Sequence, residues 1–133
     1  MSAASDYLED KLLDHVLGNT AFTQPSNIYL ALFTADTGLE ANSPSAEIST
    51  SGTAYGRQSV SFAASSSGSA STSATVTFSA ATANWGTVTH VAVMDASTSG
   101  NVLFYGAVTT SKTIESGDTF QVSSGNLTVS LAE

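Results

Sequence analysis

Two histidines, His15 and His90, eleven carboxylates and three strong cations carry most of the ionisable chemistry of this 133-residue chain, which has no cysteine. A hydrolytic set of nucleophile, base and carboxylate can be drawn from a serine, His90 and Asp95. Serine is so abundant that any chain of this composition offers such a set, and no Gly-x-Ser-x-Gly turn supports it. His90 therefore reads as a hydrogen-bonded strand residue beside Thr89. His15 falls in the last turn of a helix, where an imidazolium is favoured by the dipole. Two histidines without cysteine do not make a zinc site. The spacing of Asp36, Glu40 and Glu47 is not that of a calcium-binding EF-hand loop. Asp95 and Asp118 adjoin turns, where a carboxylate ordinarily accepts backbone N–H bonds. Gly117-Asp118 is a turn and not a phosphate cradle. Asn126-Leu127-Thr128 matches a glycosylation sequon, with no secretory leader to give it meaning. The reading assigns no catalytic, cofactor-binding or metal-ligating residue, and no cofactor.

The charge balance narrows the partners. The formal net charge is -8, with Lys11, Arg57 and Lys112 as the strong cations. Nucleic-acid binding needs several basic contacts to phosphate, and three scattered cations do not supply them. Anionic membrane surfaces are excluded as partners for the same reason. No apolar run approaches the ~20 residues of a membrane helix. Met1–Asp6 lacks a basic n-region and an apolar h-region, so no cleaved leader is expected. Charged residues are 11% and hydrophobic residues 41% of the chain. The exterior must then be built from Ser, Thr, Asn, Gln and Gly around a real core.

The residues that position everything else run from Asn84 to Thr109. Two β-type runs, within Asn84–Ala96 and Asn101–Thr109, flank the polar Ser97-Thr98-Ser99-Gly100-Asn101 connection, a hairpin signal. Val91 and Val93 share one face of the first run, and His90, Ala92 and Met94 the other. In the second, Val102, Phe104 and Val108 oppose Leu103, Tyr105 and Ala107. Strands apolar on both sides belong in the middle of a sheet, covered above and below. Ile28–Thr34 has the same character and is a second central strand.

Residues 5–17 are the one strong helix candidate. Ser5 is an N-cap, Asp6, Glu9 and Asp10 sit near the positive end of the dipole, and Gly18-Asn19 ends the helix. Leu8, Leu12 and Val16, with Leu13 and Leu17 beside them, form an apolar stripe that must dock either on the chain's own sheet or on a neighbouring subunit. Residues 35–54 are a long polar connection, expected to be functional or mobile. Val60–Ala63 and Val76–Ser79 echo each other and read as two arms of one hairpin, with the low-complexity residues 64–73 as its flexible tip. Ser111–Ile114 reads as a separate edge segment. Phe120 and Val122 point inward from a short strand, as do Leu127, Val129 and Leu131 from 126–131. Short strands separated by turn signals argue for a mainly β fold, an antiparallel β-sandwich (Ig-like or jelly-roll-like) with one N-terminal α-helix. Residues 1–133 are taken as a single β-sandwich domain, with 1–18 an N-terminal helical arm. The phenylalanines fall inside alternating strands. Trp85 and Tyr55 are the candidates for exposed anchors, although a half-buried tryptophan at a sandwich rim is the commoner outcome.

Three segments carry a family resemblance. Trp85-Gly86-Thr87-Val88-Thr89-His90-Val91-Ala92-Val93-Met94-Asp95-Ala96, the run Leu103–Ile114 followed by Ser116-Gly117-Asp118-Thr119-Phe120, and the N-terminal Tyr7–Gly18 resemble a small group of tailed-bacteriophage structural proteins. The likeness covers most of the chain outside 35–54 and 64–73, and it brings no catalytic residues. It implies a non-enzymatic virion protein made in the host cytoplasm. Within that class the compact acidic domain favours a capsid decoration, or cement, protein on the capsid surface, bound to the major capsid protein and to copies of itself in a homo-oligomer. The alternative is a tail or tail-fibre-associated protein that contacts a host receptor through other tail proteins. A small hydrolase acting through His90 is the contrasting reading.

Overall fold

The computed structural model describes residues 3–131 and is mainly β, with one helix near the N-terminus. Its main layer is a five-stranded antiparallel sheet in the order β1-β7-β6-β2-β3. These strands are β1 (Ala3–Ala4), β2 (Tyr29–Phe33), β3 (Gln58–Ser59), β6 (Gly86–Met94) and β7 (Val102–Ile114). The expected hairpin is present, and β6 lies at the centre of the sheet with β7 and β2 on either side. The runs that are apolar on both faces occupy the three inner positions, as their burial requires.

The two faces carry two separate cores. On one, Leu30, Leu32, Val91, Val93 and Leu103 pack with Tyr55, Phe78, Trp85 and Phe120. Two ribbons help to form that cover: β4 (Ser69–Ser71) with β9 (Thr128–Ser130), and β5 (Val76–Thr77) with β8 (Gln121–Val122). The second layer is thus two short ribbons beside a helix. Its aromatic centre is edge-to-face, with Tyr55 and Trp85 at 5.4 Å and Phe78 and Phe120 at 5.8 Å between centroids, an arrangement that ring quadrupoles favour. On the opposite face Ala31, Phe33, Ala92, Met94 and Val102 are closed over by Leu39, a residue of the long connection. Residues 35–54 are therefore a cover for the sheet, with Leu39 and Ile48 both buried.

Several local readings change. Val102 and Phe104 do not share a face. Val93 pairs with Phe104 and Met94 with Val102, which leaves Leu103 as an extra residue, a β-bulge that resets the alternation. Val102 then joins the Leu39 side, while Leu103 and Phe104 join the other. Ser111–Ile114 is not a separate segment but the end of β7, reached after residues 108–111 bow out opposite Thr89. The echoing runs are not arms of one hairpin. Val60 donates to Ile28, residues 61–63 pair with 71–73 inside the expected tip, and Val76 pairs with Val122. The supposed flexible tip contributes β4, which pairs with β9.

The helix α1 (Asp6–Val16) begins where capping chemistry places it. The Ser5 hydroxyl accepts the Leu8 N–H at 3.2 Å and donates to the Val102 carbonyl, while the Ser5 N–H bonds Leu103 O at 3.0 Å. One buried serine thus starts the helix and fixes it to β7. Gly18, at φ 83°, follows the C-cap residue Leu17 in the left-handed conformation that glycine adopts without penalty.

The loop's role as a cover gives a direct expectation. Leu39→Ala should lower the unfolding free energy by ~2–5 kcal/mol in urea denaturation, as for any core leucine. Ser51→Ala, exposed in the same connection, should shift it by less than ~0.5 kcal/mol.

Candidate assembly surface

The residues with chemical potential are occupied by structural work. His90 Nδ1 is 2.9 Å from the hydroxyl of its neighbour Thr89. The Asp95 carboxylate accepts the Asn101 N–H at 2.6 Å and its side-chain amide at 2.9 Å, closing the 95–101 turn. Asp118 accepts the Glu115 N–H in the same manner. His15 Nδ1 accepts the Phe22 N–H at 3.0 Å, folding the chain after the helix back on it. No serine, His90 and Asp95 are brought together by these bonds. Among the described residues no three His, Asp or Glu side chains converge where a metal ion would fit, and no helix is long and apolar enough to cross a membrane.

Neither Tyr55 nor Trp85 is an exposed anchor; both are buried. The Trp85 indole N–H donates to Thr53 O at 2.8 Å, which satisfies its one polar atom inside the core. The Tyr55 hydroxyl accepts the Leu32 N–H at 3.0 Å and donates to Glu47 at 2.7 Å. Burial, then the bond to Glu47, pushes its pKa well above the usual tyrosine value.

Glu47 is also the partner of Arg57. The guanidinium makes a bidentate pair, Nε and Nη2 each at 2.8 Å from a carboxylate oxygen. Its Nη1 donates to Ala96 O at 2.9 Å and Ser99 O at 2.8 Å. Burial works to lower the Arg57 pKa, but the bonds and charge of Glu47 outweigh it and hold the guanidinium above its ordinary value. This one side chain, 5% exposed, ties the covering loop to the turn of the central hairpin. Asn42 adds a second tie, accepting from Val102 N at 2.7 Å and donating to Asn101 at 2.9 Å. Sequence reading marked Arg57 only as a scattered cation. A usable signal was there: an arginine beside a tyrosine, in a chain with eleven carboxylates, is well supplied with acidic partners.

What remains open is apolar surface. α1 docks through buried Leu8 and half-buried Leu12, but Val16, Leu17 and Leu13 are 74%, 73% and 57% exposed. Leu131, expected to point inward, is 60% exposed. An apolar groove of about 300 Å³ lies between the sheet and the β4–β9 ribbon, lined by Ile28, Phe62, Val93, Phe104, Val129 and Leu131. A second hollow shares Ile28, Phe104 and Leu131 with it and reaches Leu8, Leu12 and Phe22. Monomeric proteins rarely leave contiguous apolar surface uncovered, and such patches mark interaction sites. At the start of the helix, where Asp6 N–H donates to Glu40 O, the Tyr105 hydroxyl donates to the Glu40 carboxylate at 2.9 Å. Its pKa is pushed up to about 12 by burial, by that bond, and by the negative charges of Glu40, Asp6 and Glu9. The surroundings of the helix are thus acidic.

A family model described as podophage GP4 fiber I protein gp80 matches residues 3–130, nearly the whole chain. No curated protein matches the sequence.

The network sets two expectations. Arg57→Ala strands the partly buried Glu47 carboxylate without its counter-charge and should cost ~3–5 kcal/mol in chemical denaturation; Arg57→Lys, which has no fork for both oxygens, should recover only part of it. The two tyrosines set the alkaline limit. A hydroxyl that holds its proton more tightly in the folded state gives stability that is intact below the ordinary tyrosine pKa of ~10 and lost as pH rises beyond it. Unfolding midpoints should therefore fall between pH ~10 and 12, and less steeply in Tyr55→Phe than in the parent.

Proposed function

This chain belongs to the family of the podophage GP4 fiber I protein gp80, and we propose that it is a fibre-associated subunit on the tail side of the virion. It is a phage virion structural protein; the tail-side placement rests on that family being one of fibre proteins. The match from residue 3 to residue 130 is the observation that carries the reading. It favours the tail over the capsid-decoration role drawn from compactness and acidity, because neither property distinguishes a shell from a fibre.

The role is non-enzymatic. His15, His90, Asp95, Asp118 and Glu47 are held in structural hydrogen bonds, and exposed leucine and valine side chains are left for contact. The 1–133 chain acts as one domain, and residues 1–18, stitched to β7 by β1 and by Ser5, serve as the arm through which it meets its neighbours. The neighbours met through this arm are other tail proteins, and contacts with further copies of the chain fall elsewhere on its surface. Favouring an assembly by binding only its assembled form requires no chemistry beyond complementary surface.

Copy number separates the two placements. Quantitative gels of purified particles should show this chain at a small fraction of the major shell protein, and antibody labelling in electron micrographs should mark the tail. Copies comparable to the shell protein, with label over the head, would return the protein to the capsid surface.

A further inference from the structure

The exposed half of α1 has a chemistry that specifies what covers it. At about 100° per residue, Val16, Leu13 and Leu17 form one stripe continuing from Leu12, which lines the groove. Carboxylates share that side of the helix. Glu9 projects between Val16 and Leu13, Asp6 and Asp10 fall on either side of Leu17, and Asp14 lies next to Asp10. The cations do not neutralise them. Lys11 is on the other side with its ammonium 5.7 Å from the centre of the Tyr7 ring, Arg57 is committed to Glu47, and Lys112 pairs opposite Val88, at the end of β7 away from the helix's attachment at Leu103. The elevated Tyr105 pKa registers the same negative field from Asp6, Glu9 and Glu40.

We infer that this face, with the adjoining groove under Leu131, docks a segment of another virion protein that is apolar along one stripe and bordered by lysine or arginine. The inference rests on the virion role proposed above and adds the chemistry of the partner. A second copy of this chain is a poor occupant, since it would bring the same carboxylates and a net charge of -8 against its own. A purely apolar partner would fill the stripe but leave the acidic border unpaired. A basic, amphipathic helix satisfies both, its apolar side chains on Leu13, Val16 and Leu17 and its cations on Glu9, Asp10 and Asp14.

Two designed peptides of identical apolar stripe, one with lysine and one with glutamate on the flanks, serve as probes in calorimetric titration of the full chain. The lysine peptide should bind at least tenfold more tightly, lose that advantage in high salt, and lose binding to the triple variant Leu13→Ser, Val16→Ser, Leu17→Ser. That variant changes only exposed positions, and its thermal unfolding should match the parent. In particles, the triple variant should be incorporated at least tenfold less than the parent chain. Equal affinity for the two peptides overturns the inference. So does normal incorporation of the triple variant, or a concentration-dependent dimer of the purified chain that the three serines abolish. If the parent chain itself is absent from purified particles, the virion role falls too, which distinguishes that failure from a fault in the docking face alone.

Discussion

A sheet that is apolar on both faces has to be roofed twice, and the rest of this structure follows from that requirement. β6 is the strand that imposes it, with Val91 and Val93 on one side and Ala92 and Met94 on the other. Burying a side chain of this size is worth ~1.5–3 kcal/mol, so neither face can be left to solvent. One roof is made of short ribbons and a helix, the other of a loop.

The loop roof explains why the chain buries one of its three strong cations, Arg57. Residues 35–54 contribute one buried apolar side chain to this roof, Leu39, and a long connection resists ordering for entropic reasons. The bidentate Glu47–Arg57 pair, the Tyr55 hydroxyl and the Asn42 bonds hold the loop to the hairpin turn and to β2. A buried ion pair is weak evidence for net stability, but it is a strong device for selecting one loop position, because each partner is costly without the other.

The ribbon roof is the less complete of the two. β4–β9 and β5–β8 have no strand joining them into one sheet, and the gaps along the ribbon and helix side leave the groove around Phe104 and Leu131. Four leucine or valine side chains stand in solvent at the helix and beside this groove. For a member of a virion structural family, an unfinished core surface of this kind is what another subunit can complete.

The apolar runs and capping residues determined the inner strands, the helix start at Ser5 and the mainly β class, because burial and local hydrogen bonding act through neighbours in sequence. Composition led only to the expectation of no nucleic-acid partner, because phosphate recognition needs more cations than Lys11, Arg57 and Lys112. Pairing between distant segments was decided only in three dimensions. Nothing in the two echoing runs tells that residues 61–63 turn back on 71–73 while Val76–Phe78 pairs with Phe120–Val122, because strands of equal pattern are interchangeable until the core volume selects among them. The bulge at Leu103 overturned a face assignment that strict alternation required. Leu39 looked like one apolar residue in a polar loop, and its burial came from the vacant second face of the sheet. The exposed Val16 and Leu17 show the same limit from the other side: a stripe in sequence says that a face wants cover, and only the folded chain says that its own sheet is already used up.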